Sequence, residues 1–398
     1  MDKLATRAFF ENLRTQAKRF ISKEERLFPK KERTFNKTEI YKYLGGIDKT
    51  TFVNYAEMAG LESVSERKEF TLKEAYAVRN ALRSSERVHA EPKFQRSDKQ
   101  SCQIICVQNQ KGGVGKSTYS VNSASGLAIE IPKEYRVGIV DLDPQHNASK
   151  YWVENLHLDE HYSVGDLMAL NYELEEGENE AEFLSSCFLP TPIPNLRILP
   201  ASQNHRSHEY TFHREFALGY EGVSPYLRLK SILDQVQDEF DIIIIDTPPS
   251  SGFVTINAYA AATSVVFPVM LNKVDIDATC GYFNFIPELW DMLENLGHIG
   301  YDFTKIILTN VDQNSDSESE TEAKMIEEFS RDIFSNSFVS SEAIKVCNNH
   351  RSTVFEMSKS QYPKTKKSFE RCELNVRRVV MDLHREILKV WEAQEAGK

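Results

Sequence analysis

The stretch NQKGGVGKST, residues 109–118, decides the fold of this chain. It follows a short apolar run, QIICVQ (103–108), and it precedes a segment that we expect to be helical. A glycine-rich loop between a strand and a helix points backbone N–H groups at one spot, and the helix dipole adds positive potential there. The stretch therefore predicts a phosphate-binding loop in an α/β fold.

The loop departs from the usual pattern G-x-x-x-x-G-K-[ST] at its start. Gly115, Lys116 and Ser117 fit the end of the pattern, but Gln110 stands at the opening position and a second lysine, Lys111, follows it. In such a loop the lysine at the end supplies charge to the β and γ phosphates, and the hydroxyl after it ligates Mg²⁺. The residues expected to bind the nucleotide are Gly112, Gly113, Val114, Gly115, Lys116, Ser117 and Thr118.

Further apolar runs alternate with helical segments along the rest of the chain. Ile242, Ile243, Ile244 and Ile245 are apolar on both faces, as in strands that are buried between two layers of helices. This alternation predicts a doubly wound, mostly parallel sheet, in which ligands bind at the carboxyl ends of the strands. The other predicted strands are 135–143, 195–202, 240–249, 264–270 and 305–311.

Acidic residues stand at the ends of two of these strands. Asp141 and Asp143 lie two residues apart in VDLDPQ, and Asp246 ends the run IIIID. Alternate residues of a strand share a face, so we expect both carboxylates of the first pair to face the phosphates. One can hold Mg²⁺ through water and the other can orient the attacking water, while Asp246 completes the surroundings of the metal. The sequence therefore predicts a nucleotide hydrolase.

The first hundred residues differ from the rest in charge. They hold 22 Lys and Arg against 15 Asp and Glu, a net charge of +7, whereas the remainder holds 26 against 44, a net charge of −18. A basic head on an acidic body suggests that the head has a nucleic-acid partner.

The segment NKTEIYKYLGGIDKTTFVNYAEMAG (36–60) has the order helix, glycine turn, helix, which is that of a helix-turn-helix motif. A further helix follows Thr71, with Glu74 in the position of a capping box, and the whole order resembles the winged-helix modules of MerR-like regulators. Any helical hairpin gives a similar pattern, so a purely structural hairpin is the alternative. The groove-facing residues expected on the second helix are Lys49, Thr50, Thr51 and Asn54.

These features divide the chain into three parts. Residues 1–30 form a helix that either pairs with a second copy or packs on its own domain. Residues 31–100 form the helix-turn-helix or winged-helix domain with a polar linker at 91–101, and residues 101–398 form the α/β domain with a C-terminal helix. No stretch reaches the ~20 apolar residues that span a bilayer, and the N-terminus has no apolar signal core, so we expect a cytoplasmic protein.

Three motifs together carry a family resemblance. KGGVGKST, VDLDPQHNAS and DIIIIDTPPSSG resemble the deviant Walker motifs of the ParA/MinD ATPases, and QNQKGGVGKST is similar to the DNA-partition ATPases of the ParA type. The resemblance covers residues 100–395, and the helix-turn-helix head makes the chain similar to the longer ParA class. It implies a P-loop α/β fold that binds ATP and Mg²⁺.

The resemblance also assigns roles to single residues. Lys111 corresponds to a signature lysine that reaches across a nucleotide-sandwich dimer to the phosphates of the partner subunit, so that dimerisation depends on the γ-phosphate. Asp143 corresponds to the residue that positions or activates water, Asp141 supports Mg²⁺, and Asp246 is a further carboxylate of the metal site. Asn310 stands where the family often contacts adenine, although a turn-forming asparagine fits this position equally well.

Members of the family bind DNA without sequence specificity as ATP dimers, through basic residues near their C-terminus. In SSEAIKVCNNHRSTVFEMSKS (340–360), Lys345 falls where the family has a DNA-contacting arginine, and Arg351 is nearby. Exposed lysines that only keep the chain soluble are the competing interpretation. The resemblance further implies slow ATP hydrolysis that a ParB-like centromere-binding partner stimulates, and homodimers or filaments on nucleoid DNA.

Two other functions stay open at this point. The head also suits a site-specific repressor for which the nucleotide is only an allosteric ligand. A membrane-positioning ATPase of the MinD type would end in a short helix with a basic face. The amphipathic segment 369–397 instead mixes acidic and basic residues, so we expect it to pack in the core or against a second subunit. A relative of the nitrogenase iron protein is disfavoured, because Cys187 and Cys280 lack the surroundings of cluster ligands.

Overall fold

The structure is a computed structural model that describes residues 3–85, 90–153, 161–201 and 205–397. It begins with a long helix, which is followed by a small head of three helices and two short strands. These elements are α1 (Lys3–Leu27), β1 (Thr34–Asn36), α2 (Lys37–Tyr43), α3 (Lys49–Met58), β2 (Glu69–Thr71) and α4 (Leu72–Arg83).

Side-chain caps determine where the helices of the head begin. Asn36 caps α2 and forms a reciprocal capping box with Glu39, and Asp48 caps α3 by accepting from N–H groups of its first turn. Thr71 and Glu74 form the capping box that the sequence predicts for α4. Two capped helices joined by a glycine turn are therefore present, and the antiparallel pairing of β1 with β2 adds a two-stranded ribbon beside them.

A mostly parallel sheet forms the centre of the α/β domain. Its strands are β3 (Gln103–Val107), β4 (Val137–Asp141), β5 (Leu189–Pro190), β6 (Leu196–Leu199), β7 (Ile242–Asp246), β8 (Ser264–Met270), β9 (Phe303–Val311) and β10 (Phe338–Val339). They lie in the order β10-β9-β8-β3-β7-β4-β6-β5, and within the described residues β5 alone runs antiparallel to its neighbour. The doubly wound sheet expected from the sequence is confirmed. The strands β5 and β10, of two residues each, were not predicted.

Helices cover both faces of this sheet. They are α5 (Lys116–Ile129), α6 (Val164–Met168), α7 (Glu180–Ser186), α8 (His205–Leu218), α9 (Arg228–Val236), α10 (Phe253–Ala261), α11 (Lys273–Asn295), α12 (Asp316–Phe329), α13 (Glu342–Asn349) and α14 (Lys366–Glu395). Alternate residues of β7 enter different cores: Ile242 and Ile244 pack with α5 and α14, whereas Ile243 and Ile245 pack with α9 and α10.

The C-terminal helix α14 belongs to the core, as expected. It packs on α5 beside Gly126, where an added Cβ would lie 2.8 Å from side-chain atoms of Phe355 and Val380. Its buried apolar residues include Phe369, Val376, Val379, Val380, Leu383, Ile387 and Trp391. Across the part of the chain that the structure describes, no helix has the length and apolar character needed to cross a bilayer.

The predicted linker, residues 91–101, packs against the α/β domain. It contains no helix or strand, but Phe94 stacks on Trp391 with ring centroids 4.6 Å apart and meets Tyr135 edge-on at 4.8 Å. The Arg96 guanidinium donates to the carbonyl of Gln237 at 2.9 Å. Contacts that include an aromatic ring and an arginine thus attach a polar segment that sequence periodicity cannot place.

Candidate functional site

The phosphate loop connects the end of β3 to the start of α5. Gly113 and Gly115 have φ values of 82° and 83°, a left-handed conformation that glycine adopts without strain. Gly115 is the residue before α5, and no side chain caps the helix there. The first N–H groups of α5 are therefore available to an anion. Of the other predicted nucleotide-binding residues, Val114 is buried, Gly112 is exposed, and Ser117 and Thr118 are half-buried.

Lys116 lies inside this loop. Its side chain is 6% exposed, and its ammonium donates to the carbonyls of Asn109 at 2.8 Å and Lys111 at 3.1 Å. Burial lowers the pKa of Lys116 to about 8, against the opposing charges of Asp246 and Asp143. The ammonium is thus already at the centre of the loop, where phosphate oxygens would take the place of the two carbonyls.

The side chain of Lys111 points out of the loop that Lys116 fills. Its Nζ forms an ion pair with Asp275 Oδ1 at 3.1 Å, and its side chain is 38% exposed. Asp275 lies in the first turn of α11, so the second lysine contacts a helix of its own subunit. This contact joins positions far apart in the chain, and no sequence pattern predicts it.

The side chains that hold the loop include two, Asn109 and Thr309, that the sequence analysis missed. The Asn109 amide donates to the carbonyl of Pro268 at 2.8 Å and to the Thr279 hydroxyl at 3.0 Å. The hydroxyl of Thr309 donates to the carbonyl of Val114 at 2.7 Å. Asn109 stands beside the glycine-rich motif, which is a weak signal, and Thr309 has no sequence signal at all.

Strand register brings two carboxylates together at the carboxyl edge of the sheet. Asp141 of β4 lies opposite Asp246 of β7, and both are fully buried. Burial and the neighbouring negative charge raise the pKa of Asp246, and hydrogen bonds from Ser117 and Ser120 act against this rise. The Ser120 hydroxyl donates to Asp246 Oδ1 at 3.0 Å, while Asp246 Oδ2 is buried without a hydrogen-bond partner.

This orphaned oxygen fits a magnesium ion or a water bound to one. Asp246 Oδ2 and the nearby Ser117 hydroxyl are hard oxygen donors, which Mg²⁺ prefers, and Mg²⁺ usually keeps several waters and phosphate oxygens. The described residues contain no group of three or more His, Cys, Asp or Glu arranged for a metal. A site completed by phosphate and water is consistent with this chemistry.

Asp141 and Asp143 organise their own loop. Asp141 Oδ1 accepts from the Asp143 N–H at 3.0 Å, and Oδ2 accepts from the N–H and hydroxyl of Ser149, both at 2.7 Å. Asp143 accepts from the Gln145 N–H at 2.9 Å and the Asn147 amide at 3.0 Å. Both carboxylates are held rigidly, and the open oxygen at this edge belongs to Asp246.

The other predicted site residues belong to three parts of the fold: strand β9, helix α13 with the residues after it, and helix α3 of the head. Asn310 is exposed inside β9, where its left-handed φ of 54° coincides with a shift of register against β10 and not with a turn. Lys345 is exposed on α13, and the half-buried Arg351 follows that helix with a φ of 51°. On α3, Lys49, Thr50 and Asn54 are exposed, whereas Thr51 is half-buried and its hydroxyl donates to Asp48 at 2.7 Å.

The chain is similar to a protein family and to proteins of known sequence. A protein-family model described as an AAA domain matches residues 102–295. The chain is 26% identical over 348 residues to the "Putative replication protein A" of Sinorhizobium fredii, covering 85% of this chain and 82% of that protein. It is 36% identical over 170 residues to the chromosome partitioning protein ParA of Myxococcus xanthus, covering 42% of this chain and 51% of that protein.

Solved structures share the fold. A structure described as a partition protein superposes with a TM-score of 0.63 at 17% identity, over 96% of this chain and 98% of that one. Cobyrinic acid a,c-diamide synthase from Mycobacterium smegmatis with bound ADP and magnesium superposes with a TM-score of 0.50 at 19% identity, over 63% of this chain and 91% of that one. The first likeness extends over nearly the whole chain, and the second is confined to part of it.

Proposed function

Because the chain belongs to the ParA-type ATPases, we propose that it binds and hydrolyses ATP with Mg²⁺ and uses the nucleotide state to partition DNA. The observation that carries the proposal is the pair of lysines in one loop. Lys116 fills the centre of its own loop, while the Lys111 side chain points out of it. A cation whose side chain points away from its own phosphate site can contact the phosphates of a second subunit once it leaves Asp275.

Phosphate binding follows from the loop. The uncapped start of α5 supplies N–H donors and Lys116 supplies a positive charge. Ser117 and Asp246 are the residues that would hold Mg²⁺, which supplies charge neutralisation across the β and γ phosphates when it is bound. The diamide synthase that shares this fold binds ADP and magnesium, which supports the same ligands here.

Hydrolysis is assigned to Asp143. Its carboxylate is oriented by Gln145 and Asn147, and each oxygen retains a lone pair that can accept a proton from an attacking water. A single carboxylate orients water without activating it strongly, so intrinsic turnover is slow. A ParB-like partner that improves this geometry would raise the rate.

Two nucleotides bridge two subunits in this proposal. Each Lys111 contacts the phosphates bound by the other subunit, so triphosphate charge is neutralised jointly. The dimer therefore depends on the γ-phosphate, and hydrolysis releases it. ATP therefore binds the dimer more tightly than the monomer, and a ligand must discriminate between two states in this way to act as a switch.

The ATP dimer binds DNA on the nucleoid, in the cytoplasm, through basic residues of the body. Lys345 and Arg351 are the proposed contacts. Two other lysines of this region are engaged in ion pairs, Lys359 with Glu370 and Lys364 with Glu342 at 2.6 Å, which leaves Lys345 as the first residue to test. The head contributes sequence-specific contacts through Lys49, Thr50, Thr51 and Asn54 of α3.

The N-terminal helix is proposed to pair with a second copy inside the ATP dimer, where it adds contacts to an association that the nucleotide controls. Phe9, Leu13, Phe20 and Leu27 recur along α1 at spacings of four and seven residues, and all four are exposed. Exposed apolar side chains at this spacing form a stripe along one side of the helix. A stripe on a second α1 has the same character, so two copies can cover each other.

DNA binding without nucleotide, with ADP and with ATP tests the proposed function. Random-sequence DNA should bind tightly only with ATP, and Lys116→Ala should abolish this binding because the loop loses its central charge. Equal binding of random DNA in all three nucleotide states would overturn the partition mechanism. Retardation of labelled DNA at fixed salt gives the measurement, since phosphate contacts depend strongly on salt.

A second candidate is a site-specific repressor with the nucleotide as an allosteric ligand. The head docks on the end of the helix that begins at the phosphate loop. Tyr43 donates to the carbonyl of Ile129 at 2.9 Å, and Tyr76 donates to that of Ala128 at 2.8 Å. The helix α5 thus joins the nucleotide site to the DNA-binding head. A footprint confined to one operator, with no ATP-dependent coating of random DNA, selects this reading.

A further inference from the structure

The start of the phosphate loop is attached to one face of α11. Asp275 pairs with Lys111 at 3.1 Å, and Thr279, one turn later, accepts from Asn109 at 3.0 Å. The Asn109 side chain in turn accepts from the Lys111 N–H at 3.0 Å. Residues four apart on a helix lie on the same face. One face of α11 therefore holds both the backbone and the side chain of Lys111.

The acidic partner in this pair is also held by a residue other than Lys111. Asp275 is in the first turn of α11, where its N–H donates to Asn272 at 3.0 Å and its carboxylate accepts from the Asn272 amide. Its side chain is 10% exposed, whereas that of Lys111 is 38% exposed. The carboxylate cannot follow the lysine out of the subunit, so the lysine must leave the carboxylate to reach a partner.

We propose that Asp275 is a positioning residue that restrains Lys111 on its own subunit, and that the nucleotide-driven dimer must break this ion pair. The proposal rests on the cross-subunit role of Lys111 in the proposed function. Phosphates of the partner site compete with one fixed carboxylate for the same ammonium. Asp275 therefore sets how much nucleotide is needed before two subunits associate.

The symmetry of the dimer doubles the free energy of this restraint. A two-fold dimer breaks the same contact in both subunits. A partly exposed ion pair at this geometry contributes about fivefold to an equilibrium constant, so two pairs contribute about 25-fold to the dimer dissociation constant. Removing the carboxylate should thus tighten the ATP dimer about 25-fold.

The test compares Asp275→Asn with Asp277→Asn in the full chain. Asp277 is exposed two residues further along α11, so its carboxylate is removed from the same helix on a different face. Dimerisation is measured by sedimentation velocity over a protein concentration series with Mg²⁺ and a non-hydrolysable ATP analogue. Asp275→Asn should dimerise about 25-fold more tightly than the wild type, and Asp277→Asn should match the wild type.

A double variant shows whether Asp275 acts through Lys111. Lys111→Ala should not dimerise, and Lys111→Ala with Asp275→Asn should behave in the same way. Asp275→Ser, which also lacks a carboxylate, should shift the constant in the same direction as Asp275→Asn. Thermal melting of each variant without nucleotide identifies a loss of folding, which a restraint on Lys111 does not predict.

The outcomes separate this inference from the proposed function. Wild-type chain that stays monomeric at saturating nucleotide overturns the proposed function and the restraint with it. Asp275→Asn that dimerises like the wild type overturns the restraint alone. Asp275→Asn that dimerises more weakly overturns it too, because Asp275 would then hold Lys111 in its bridging position.

Discussion

Replacing Gly126 by alanine puts a methyl group into a close contact between α5 and α14. The added Cβ would lie 2.8 Å from atoms of both Phe355 and Val380, and 3.0 Å from a second Val380 methyl. Ordinary contacts of a Cβ begin at 3.4 Å. The neighbours must therefore move by several tenths of an ångström on a helix whose start is the phosphate loop.

Two effects of opposite sign set the magnitude of this change. Overpacking of a close-packed core costs about 1–3 kcal/mol. Alanine in place of glycine stabilises a helix by up to about 1 kcal/mol. Because the contacts at Gly126 come from a ring and a β-branched side chain that are both buried, overpacking should win, and we expect a net destabilisation of about 1–2 kcal/mol.

Gly281 supplies the matched control. It also lies within a helix, α11, but an added Cβ would meet no atom within 4 Å. Gly281→Ala should therefore stabilise the chain by about 0.5–1 kcal/mol through helix propensity alone. Thermal and urea unfolding midpoints of the two variants should move in opposite directions. A Gly126→Ala midpoint at or above that of the wild type would refute the close packing of α5 on α14.

Two pH dependences follow from buried bases. Burial lowers the pKa of Lys116 to about 8, so phosphate binding, which needs the ammonium form, should weaken above pH 8 and should take up a proton. Calorimetry in two buffers at pH 8.5 measures both the affinity and the proton uptake. A phosphate affinity that is unchanged up to pH 9.5 would contradict this prediction. Burial and the charge of Lys133 lower the pKa of His384 to about 4. Between pH 6.5 and pH 4 the folded chain therefore binds fewer protons than the unfolded chain. The free energy of unfolding should fall by up to about 3 kcal/mol as the pH falls through this window. His384→Gln should flatten the fall of the urea midpoint, and an equally steep fall would show that other groups cause it.

The sequence predicted those parts of the fold that local chemistry controls. The strand runs around residues 103–108 and 240–249 are apolar on both faces, and the glycine-rich loop carries its own conformational signature, so both were found. The cap at Thr71 was predicted in the same way, and the caps at Asn36 and Asp48 obey the same local rules. The two-residue strands were missed because a period cannot be read from two residues.

The parts that the sequence did not predict depend on contacts between distant segments. The sequence placed Asp141 and Asp246 at one metal site, but the register that sets them directly opposite each other follows from strand order, which single runs do not specify. The ion pair between Lys111 and Asp275 follows from the position of α11 over the loop. The docking of Tyr43 on the end of α5 likewise needs the head to be placed on the body. Each is a property of packing, which periodicity does not encode.

Two lysine variants test the central claim most directly. Lys116→Ala should lose ATP binding, whereas Lys111→Ala should bind ATP and remain monomeric, because only the partner's phosphates need the Lys111 ammonium. Calorimetry and sedimentation of both variants with ATP and Mg²⁺ give the measurement. A Lys111→Ala chain that dimerises with ATP as tightly as the wild type would contradict the account.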